Sequence, residues 1–285
     1  MKRLLIVFLS YVISGLMGGC KSQQTLVGQC FDKKYEDSIV HKYLETLAWE
    51  KGYNHADWGL YCDTVIALCP NIAEAYREKA IPHIKYGNYA VAMPLEDKAV
   101  ALNQGQWLDY RGFLKVIFTK DYAGAIIDFE NSEKNKPFGG LMDHTYSFYL
   151  ALSYTGLKDF NQAIVHLKKD SSTQKMQNKK NDIHFNTLLY FGIAYYQLNN
   201  YTTANYYLAA CLQQYNNHPD ALYYIGSSNY KLNKKKEATT HLKASLAAIK
   251  AGYSMNEDNE AYCNYPYQIA QYEIENAIEN INISK

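Results

Sequence analysis

Histidine is the residue of this chain best suited to acid–base or metal chemistry, but its spacing favours neither. Eight histidines occur, at positions 41, 55, 83, 144, 166, 184, 218 and 241. The sequence has no His-Glu-x-x-His motif, no Cys-x-x-Cys pair, no phosphate loop and no Gly-x-Ser-x-Gly motif. Asp143 and His144 are adjacent, but adjacent residues of a helix point in different directions, so we interpret them as a capping aspartate beside a surface histidine. The sequence therefore predicts no enzyme activity, no metal and no other cofactor.

Cysteine offers the second possible chemistry, which is covalent modification near the N-terminus. Lys2 and Arg3 precede a short apolar run that ends in two glycines, as in a secretory signal, and Cys20 follows directly. The stretch 16–20 resembles a bacterial lipoprotein signal, with Met17 where leucine is usual. The resemblance implies a signal peptide at 1–19, a lipid on Cys20 and a lipid-anchored linker at 20–35. Ordinary cleavage with a free Cys20 is the alternative.

The same resemblance implies a location in the cell envelope. Lys21 follows Cys20 where inner-membrane lipoproteins have aspartate, so we expect an outer-membrane lipoprotein that faces the periplasm or the cell surface. That compartment permits disulfides. Cys62 and Cys69 lie seven residues apart on a predicted helix, about 10 Å along its axis, too far to bridge each other. Cys30 could pair with either of them.

Charge and composition exclude one class of partner. The formal net charge is +1, and only Arg77 and Arg111 remain as arginines after residue 19. A protein without a concentrated basic face cannot neutralise a phosphate backbone, so we expect no nucleic-acid binding. The chain has 28 tyrosines and 10 phenylalanines. Tyrosine has an apolar ring and a polar hydroxyl group, which suits helix contacts near the surface and ligand grooves.

A repeat of 34 residues decides which elements must position these side chains. Gly192 recurs as Gly226, and three larger positions recur with it in the same order: Leu198 as Leu232, Ala204 as Ala238, and Leu208 as Leu242. Related alanines fall at 56, 92, 125 and 163. Each copy reads as two amphipathic helices joined by a short polar turn. Neither helix can bury its apolar stripe alone, so neighbouring copies must stack.

This pattern resembles the tetratricopeptide repeat, for example in residues 191–208. The resemblance implies an all-α, tetratricopeptide-like α-solenoid of about five to six helix-turn-helix repeats with a C-terminal capping helix. We place a superhelix at 36–252, with repeats near 37–70, 73–104, 106–138, 144–177, 185–218 and 219–252, and an acidic loop and capping helix at 253–285. We expect loops at 132–144 and 168–182, and a helix kink at Pro82.

In this family the first helices of the pairs line a concave groove that binds a protein. The resemblance therefore assigns partner binding to ten residues: Trp107, Tyr110, Leu114, Phe148, Leu152, Leu189, Ile193, Tyr196, Tyr223 and Tyr230. This lining is apolar and aromatic, so it suits an extended peptide or a helix of an envelope protein. Burial of these rings between repeats, or under the chain's own N-terminal segment, is the alternative. We expect a non-enzymatic adaptor; a glycan-binding surface lipoprotein is the second hypothesis.

Overall fold

The computed structural model describes residues 30, 32–177, 182–254 and 264–283. The predicted signal peptide, Cys20 and most of the acidic loop lie outside these ranges. The chain divides into two compact units, one ending at Asn103 and the other beginning at Gln104. Both are built of helix-turn-helix pairs, which confirms the predicted all-α fold class. Among the described helices, none is long and apolar enough to cross a bilayer.

The described residues of the first unit form five α-helices and one π-helical segment. In chain order they are α1 (Lys33–Ile39), the π-helical segment (Val40–Ala48), α2 (Trp49–Lys51), α3 (Ala56–Leu68), α4 (Ala73–Lys85) and α5 (Tyr89–Leu102). Asp32 caps α1 by accepting a hydrogen bond from the main-chain N–H of Lys34 at 3.0 Å. Helix α1 therefore begins at Lys33, inside the predicted linker, because a capping side chain precedes it.

A disulfide joins the two ends of the α1–α3 region. Cys30 and Cys69 are bonded, whereas Cys62 is a buried free thiol in α3. Of the two pairings that the sequence left open, the structure has Cys30–Cys69. All three cysteines lie in one apolar cluster with Trp58 and Leu44. Burial raises the pKa of the Cys62 thiol to about 12, so this thiol is neutral and serves as a packing group.

Pro82 lies inside α4, and a donor from another helix replaces the hydrogen bond that this proline removes. Proline has no main-chain N–H, so the Glu78 carbonyl, four residues earlier, cannot receive its usual helical bond. The indole Nε1 of Trp58 on α3 donates to this carbonyl instead, at 2.7 Å. Trp58 is buried, and the substitute bond lies inside the unit.

In the second unit, the residues that the structure describes form nine α-helices, a π-helical segment and one small hairpin. They are α6 (Gln104–Leu114), the π-helical segment (Lys115–Thr119), α7 (Tyr122–Asn135), β1 (Gly140–Leu141), β2 (His144–Thr145), α8 (Tyr146–Gly156), α9 (Phe160–Gln177), α10 (Phe185–Gln197), α11 (Tyr201–Gln214), α12 (Pro219–Lys231), α13 (Lys235–Lys250) and α14 (Gln271–Ile283). β1 and β2 pair antiparallel. Helix α14 packs against α13, as a capping helix must.

Close packing within each pair explains the repeated small residues. A Cβ atom on Gly192 of α10 would lie 2.4 Å from the Leu208 side chain of α11, and one on Gly226 would lie 2.7 Å from Leu242. Only glycine permits this approach. The turns also repeat: Asn199 ends its pair's first helix with a φ of 60°, a left-handed conformation that terminates helices.

Two predicted loops are wrong in part. Residues 168–177 were expected to be loop but continue α9, and α7 extends through residue 135 before the hairpin at 140–145. In α9 the reason is a buried carboxylate: Asp170 accepts hydrogen bonds from the hydroxyl groups of Thr145 and Thr187 at 2.8 and 2.7 Å. Gln174 also donates to Asp170 at 2.9 Å. These polar side chains face inward, so a polar sequence there does not indicate a loop.

Candidate functional site

The second unit contains all ten residues that the sequence assigned to the groove, and they divide into two groups. Half of them are partly exposed: Trp107, Tyr110, Tyr196, Tyr223 and Tyr230. The other half are at most 1% exposed: Leu114, Phe148, Leu152, Leu189 and Ile193. The second group is packed inside the chain, and a partner cannot contact side chains that have no exposed surface. Their expected exposure in an open groove is therefore corrected.

Part of this burial is due to the chain itself, at its C-terminal end. Residues 264–270, which we call the plug, lie on the first helices of successive repeats. The Tyr265 ring lies 6.3 Å from that of Phe148 on α8 and 6.0 Å from that of Tyr190 on α10. The Tyr267 ring lies 5.6 Å from that of Phe160 at the start of α9. From the sequence, coverage of the groove by the chain's own N-terminal segment was the alternative, whereas the covering segment in the structure is C-terminal.

Main-chain hydrogen bonds fix the plug. The Tyr190 hydroxyl donates to the carbonyl of Pro266 at 2.8 Å, and the Tyr224 hydroxyl of α12 donates to the carbonyl of Tyr267 at 2.8 Å. The Ile269 N–H donates to Asp220 Oδ1 at 2.7 Å. At the other end, Lys120 Nζ donates to the Asn264 carbonyl. The plug therefore runs in the same direction as the repeats, from Lys120, which precedes α7, towards α12.

The plug contains a tight turn. The Gln268 N–H donates to the carbonyl of Tyr265 at 3.2 Å, and the Gln268 side chain accepts from the Tyr265 N–H at 3.0 Å. Pro266 occupies the second position of this turn, and Tyr267 occupies the third with a φ of 63°. A type II turn has these features, although glycine usually stands at the third position. Tyr265, Pro266 and Ile269 are buried, so the turn points inward.

Asp220 and His218 form a buried polar pair beneath the plug. Burial raises the pKa of Asp220 to about 7 and lowers the pKa of His218 to about 4. His218 Nδ1 lies 3.6 Å from Asp220 Oδ2, and among the described residues neither ring nitrogen has a hydrogen-bond partner. His218 is therefore uncharged at neutral pH, and the Asp220 carboxyl group keeps its proton to a higher pH than an exposed aspartate does. Because Asp220 accepts a main-chain N–H, we assign it the role of anchoring the plug.

The first helices of the pairs form the face on which the plug lies, which we call the inner face, and solvent still reaches tyrosines of this face beside the plug. The Tyr196 ring lies 5.3 Å from Tyr224 and 5.6 Å from Tyr201, and Tyr223 lies 5.2 Å from Tyr224. Burial raises the pKa of both Tyr196 and Tyr223, and Ser227 forms a hydrogen bond with each. Their hydroxyl groups are neutral at physiological pH and can donate to a ligand oxygen. We call Tyr196, Tyr201 and Tyr223 the tyrosine patch.

The Asp143–His144 pair does not form a catalytic dyad. His144 is 7% exposed in β2, with its ring 4.3 Å from that of Phe148, while Asp143 is exposed in the hairpin turn. The expected surface histidine is therefore wrong, because a hairpin rather than a helix carries the pair. A cavity of about 260 Å³ adjoins the hairpin. Its Gln174 side chain is already bonded to Asp170, Thr187 and the His184 N–H.

No metal site is visible in the part of the chain that the structure describes, because no three His, Cys, Asp or Glu side chains converge there. The sequence missed the plug, Tyr190, Tyr224 and the anchoring role of Asp220. The signal available was the dipeptide Tyr265-Pro266 ahead of a helix, which indicates a turn. Nothing in the local sequence indicates that this turn lies on α8, α10 and α12, since that contact joins residues far apart in the chain.

Known proteins share this architecture. Residues 186–218 and 220–247 match the family model of the tetratricopeptide repeat. No curated protein sequence matches the chain. PilW, described as a widely conserved type IV pilus biogenesis factor, is 12% identical, with a TM-score of 0.58 over 77% of this chain and 94% of PilW.

Two larger structures are also similar. The APC/C hetero-tetramer Cut9–Hcn1 is 16% identical, with a TM-score of 0.57 over 92% of this chain and 45% of that one. Yeast Tom70 is 12% identical, with a TM-score of 0.53 over 87% of this chain and 47% of Tom70. This chain thus spans less than half the length of each of these two proteins. The protein carries tetratricopeptide repeats at 186–218 and 220–247 and has the fold of tetratricopeptide repeat proteins.

Proposed function

We propose that the protein is a non-enzymatic scaffold that binds another protein on the inner face of its second unit. One observation carries this proposal: the inner face already holds a polypeptide segment through side-chain to main-chain hydrogen bonds. Tyr190, Tyr224 and Asp220 satisfy the plug's backbone, and partly exposed tyrosines continue the surface beside it. Phenol groups with apolar rings bind peptides well, since they combine a large contact area with one directional donor.

We further propose that a lipid on Cys20 anchors this scaffold in the outer membrane of the cell envelope, where its partner would be an envelope protein. The support is the signal-like sequence before Cys20 and the Cys30–Cys69 disulfide, because stable disulfides are typical of oxidising compartments. Labelling cells with a radioactive fatty acid tests the anchor. We expect label in the wild-type protein and none in Cys20→Ser; equal labelling of both would refute lipidation at Cys20.

Site-specific photo-crosslinking in intact cells tests the binding surface. A photoreactive amino acid replaces Tyr196 or Tyr223 on the inner face. The matched control position is Ile127, which is 60% exposed on α7, the second helix of its pair. We expect one reproducible protein adduct from the inner-face positions and none from position 127. The proposal fails if adducts form equally at all three positions or at none.

Glycan binding is the second candidate, and an exposed ring on α11 favours it. Tyr206 is 71% exposed, and its ring stands 5.2 Å from that of Tyr207 at an interplanar angle of 83°. An exposed ring face of this kind can stack on a sugar ring. Binding on a glycan array that Tyr206→Ala abolishes, together with the absence of protein adducts at positions 196 and 223, would favour this function over a protein scaffold.

A further inference from the structure

The inner face recognises the plug mainly through its backbone. Two phenol hydroxyl groups, from Tyr190 and Tyr224, donate to two successive carbonyl groups, and the buried Asp220 carboxylate accepts an N–H two residues later. None of these three bonds uses a side chain of the plug. Any segment that adopts the same turn would satisfy them, so these groups form a site for a peptide turn rather than for one fixed sequence.

Two side chains of the plug add selectivity. Tyr265 is 3% exposed and lies against the rings of Phe148 and Tyr190, so the site accepts an aromatic ring at this position. Pro266 follows it at the turn position where proline is favoured. The next residue, Tyr267, has a left-handed φ of 63°, which carries backbone strain in a residue other than glycine. A held but strained segment is one that a competing peptide can replace.

We propose that this site binds a partner peptide with an aromatic–proline turn, and that the plug occupies the site until the partner displaces it. The inference rests on the protein-binding function proposed above and specifies its ligand class. Two classes of group define that ligand: an aromatic ring before proline, and a turn with two accessible carbonyl groups followed by an N–H. Only molecules with a displaced plug can bind the partner, so the apparent affinity falls in proportion to the fraction of such molecules. The reduction is roughly 100-fold if the plug occupies the site in 99% of the molecules.

Weakening the plug tests this inference in the full chain. Tyr265→Ala removes the buried ring, and Tyr272→Ala is the matched control because Tyr272 is 65% exposed on α14, next to the plug. The probe is a fluorescent synthetic heptapeptide with the sequence of residues 264–270. By fluorescence anisotropy we expect it to bind Tyr265→Ala at least tenfold more tightly than the wild type or Tyr272→Ala. Equal binding by all three proteins would overturn the inference.

The groups that hold the backbone are tested in the same background. Adding Tyr190→Phe and Tyr224→Phe to Tyr265→Ala keeps the rings but removes the two donors, so peptide binding should weaken at least tenfold. A heptapeptide with alanine at the position of Tyr265 should also bind at least tenfold more weakly. If neither change affects binding, the peptide does not use this site and the inference is wrong.

Hydrogen exchange of the wild-type protein provides a result that does not depend on a variant folding. We expect excess heptapeptide to speed amide exchange in residues 264–270, including Ile269, and to leave α12 unchanged. No change in exchange at saturating peptide would contradict displacement.

The crosslinking experiment separates this inference from the function on which it rests. If Tyr265→Ala raises the yield of the partner adduct from position 196 at least threefold, the plug competes with that partner. An adduct that forms with equal yield in both proteins supports the scaffold but overturns the competition. If no protein adduct forms in either, the scaffold itself is refuted, whatever the heptapeptide does.

Discussion

Replacing Trp58 by phenylalanine should destabilise the first unit through a single carbonyl group. Pro82 leaves the Glu78 carbonyl without its helical donor, and the Trp58 indole supplies the replacement at 2.7 Å. Phenylalanine keeps an aromatic ring there but has no N–H group. An unsatisfied buried carbonyl costs about 1–3 kcal/mol. The smaller ring leaves a small cavity that adds about 1 kcal/mol. We therefore expect the free energy of unfolding to fall by about 2–4 kcal/mol.

A double-mutant cycle isolates the hydrogen-bond contribution. Pro82→Ala returns an N–H to position 82, which can bond to the Glu78 carbonyl within α4. In that background Trp58→Phe should cost only the packing contribution, so the two substitutions should couple by about 1–3 kcal/mol. Pro94→Ala is the matched control, because Pro94 also lies inside a helix, α5, but its missing N–H does not concern Glu78.

Urea unfolding followed by far-ultraviolet circular dichroism measures all four corners of the cycle. Distant, independent sites add within about 0.5 kcal/mol. If the changes in unfolding free energy caused by Trp58→Phe and Pro82→Ala add to within this margin, the indole does not compensate for the proline and our reasoning is refuted. Coupling of equal size with Pro94→Ala would refute it as well, since the effect would then not depend on the shared carbonyl.

Three further predictions concern charge, the disulfide and packing. Burial raises the pKa of Asp220 from 3.8 to about 7, so the wild type loses stability as pH rises through this window. In urea unfolding, the free energy of unfolding of Asp220→Asn relative to that of the wild type should therefore increase by about 2 kcal/mol between pH 5 and pH 7. A difference that stays constant with pH would contradict this prediction. The Cys30–Cys69 bond closes a separation of 39 residues, so breaking it should lower the free energy of unfolding of the first unit by about 3–4 kcal/mol. The double variant Cys30→Ser/Cys69→Ser, compared with the wild type, measures this effect, and an unchanged value would contradict it. Gly192→Ala should lower the free energy of unfolding by about 1–3 kcal/mol through overpacking, whereas Gly59→Ala, with open space around its Cβ position, should raise it by up to about 1 kcal/mol. Equal effects of the two substitutions in thermal melts would refute the packing argument.

The repeats were predictable because their signal is local and periodic. Gly192 and Leu208 lie at a fixed separation, and their contact follows from the geometry of one helical hairpin. The same holds for Gly226 and Leu242 one period later. Such pairs specify helix contacts without reference to the rest of the chain, so the helix-turn-helix architecture could be read from spacing alone.

The remaining features depend on contacts between distant residues. Asp170 and Gln174 make residues 168–177 appear to be a solvated loop, but their partner Thr187 lies in the next helix pair. The plug is a further case, since Tyr265 packs against Phe148 of α8 and Tyr190 of α10, which lie far before it in the chain. Half of the residues that the resemblance assigned to the groove are buried, which is the alternative that the sequence had left open.

Because each of the two units has its own buried core, damage to one need not disable the other. The disulfide and the Trp58 bond lie before Asn103, whereas the plug and the tyrosine patch lie after it. Cooperative unfolding is a property of such compact units, and each can open with its own free energy. Reductive damage would thus fall on a module that carries no part of the peptide site. Recognition and redox sensitivity are thereby carried by different units of one chain.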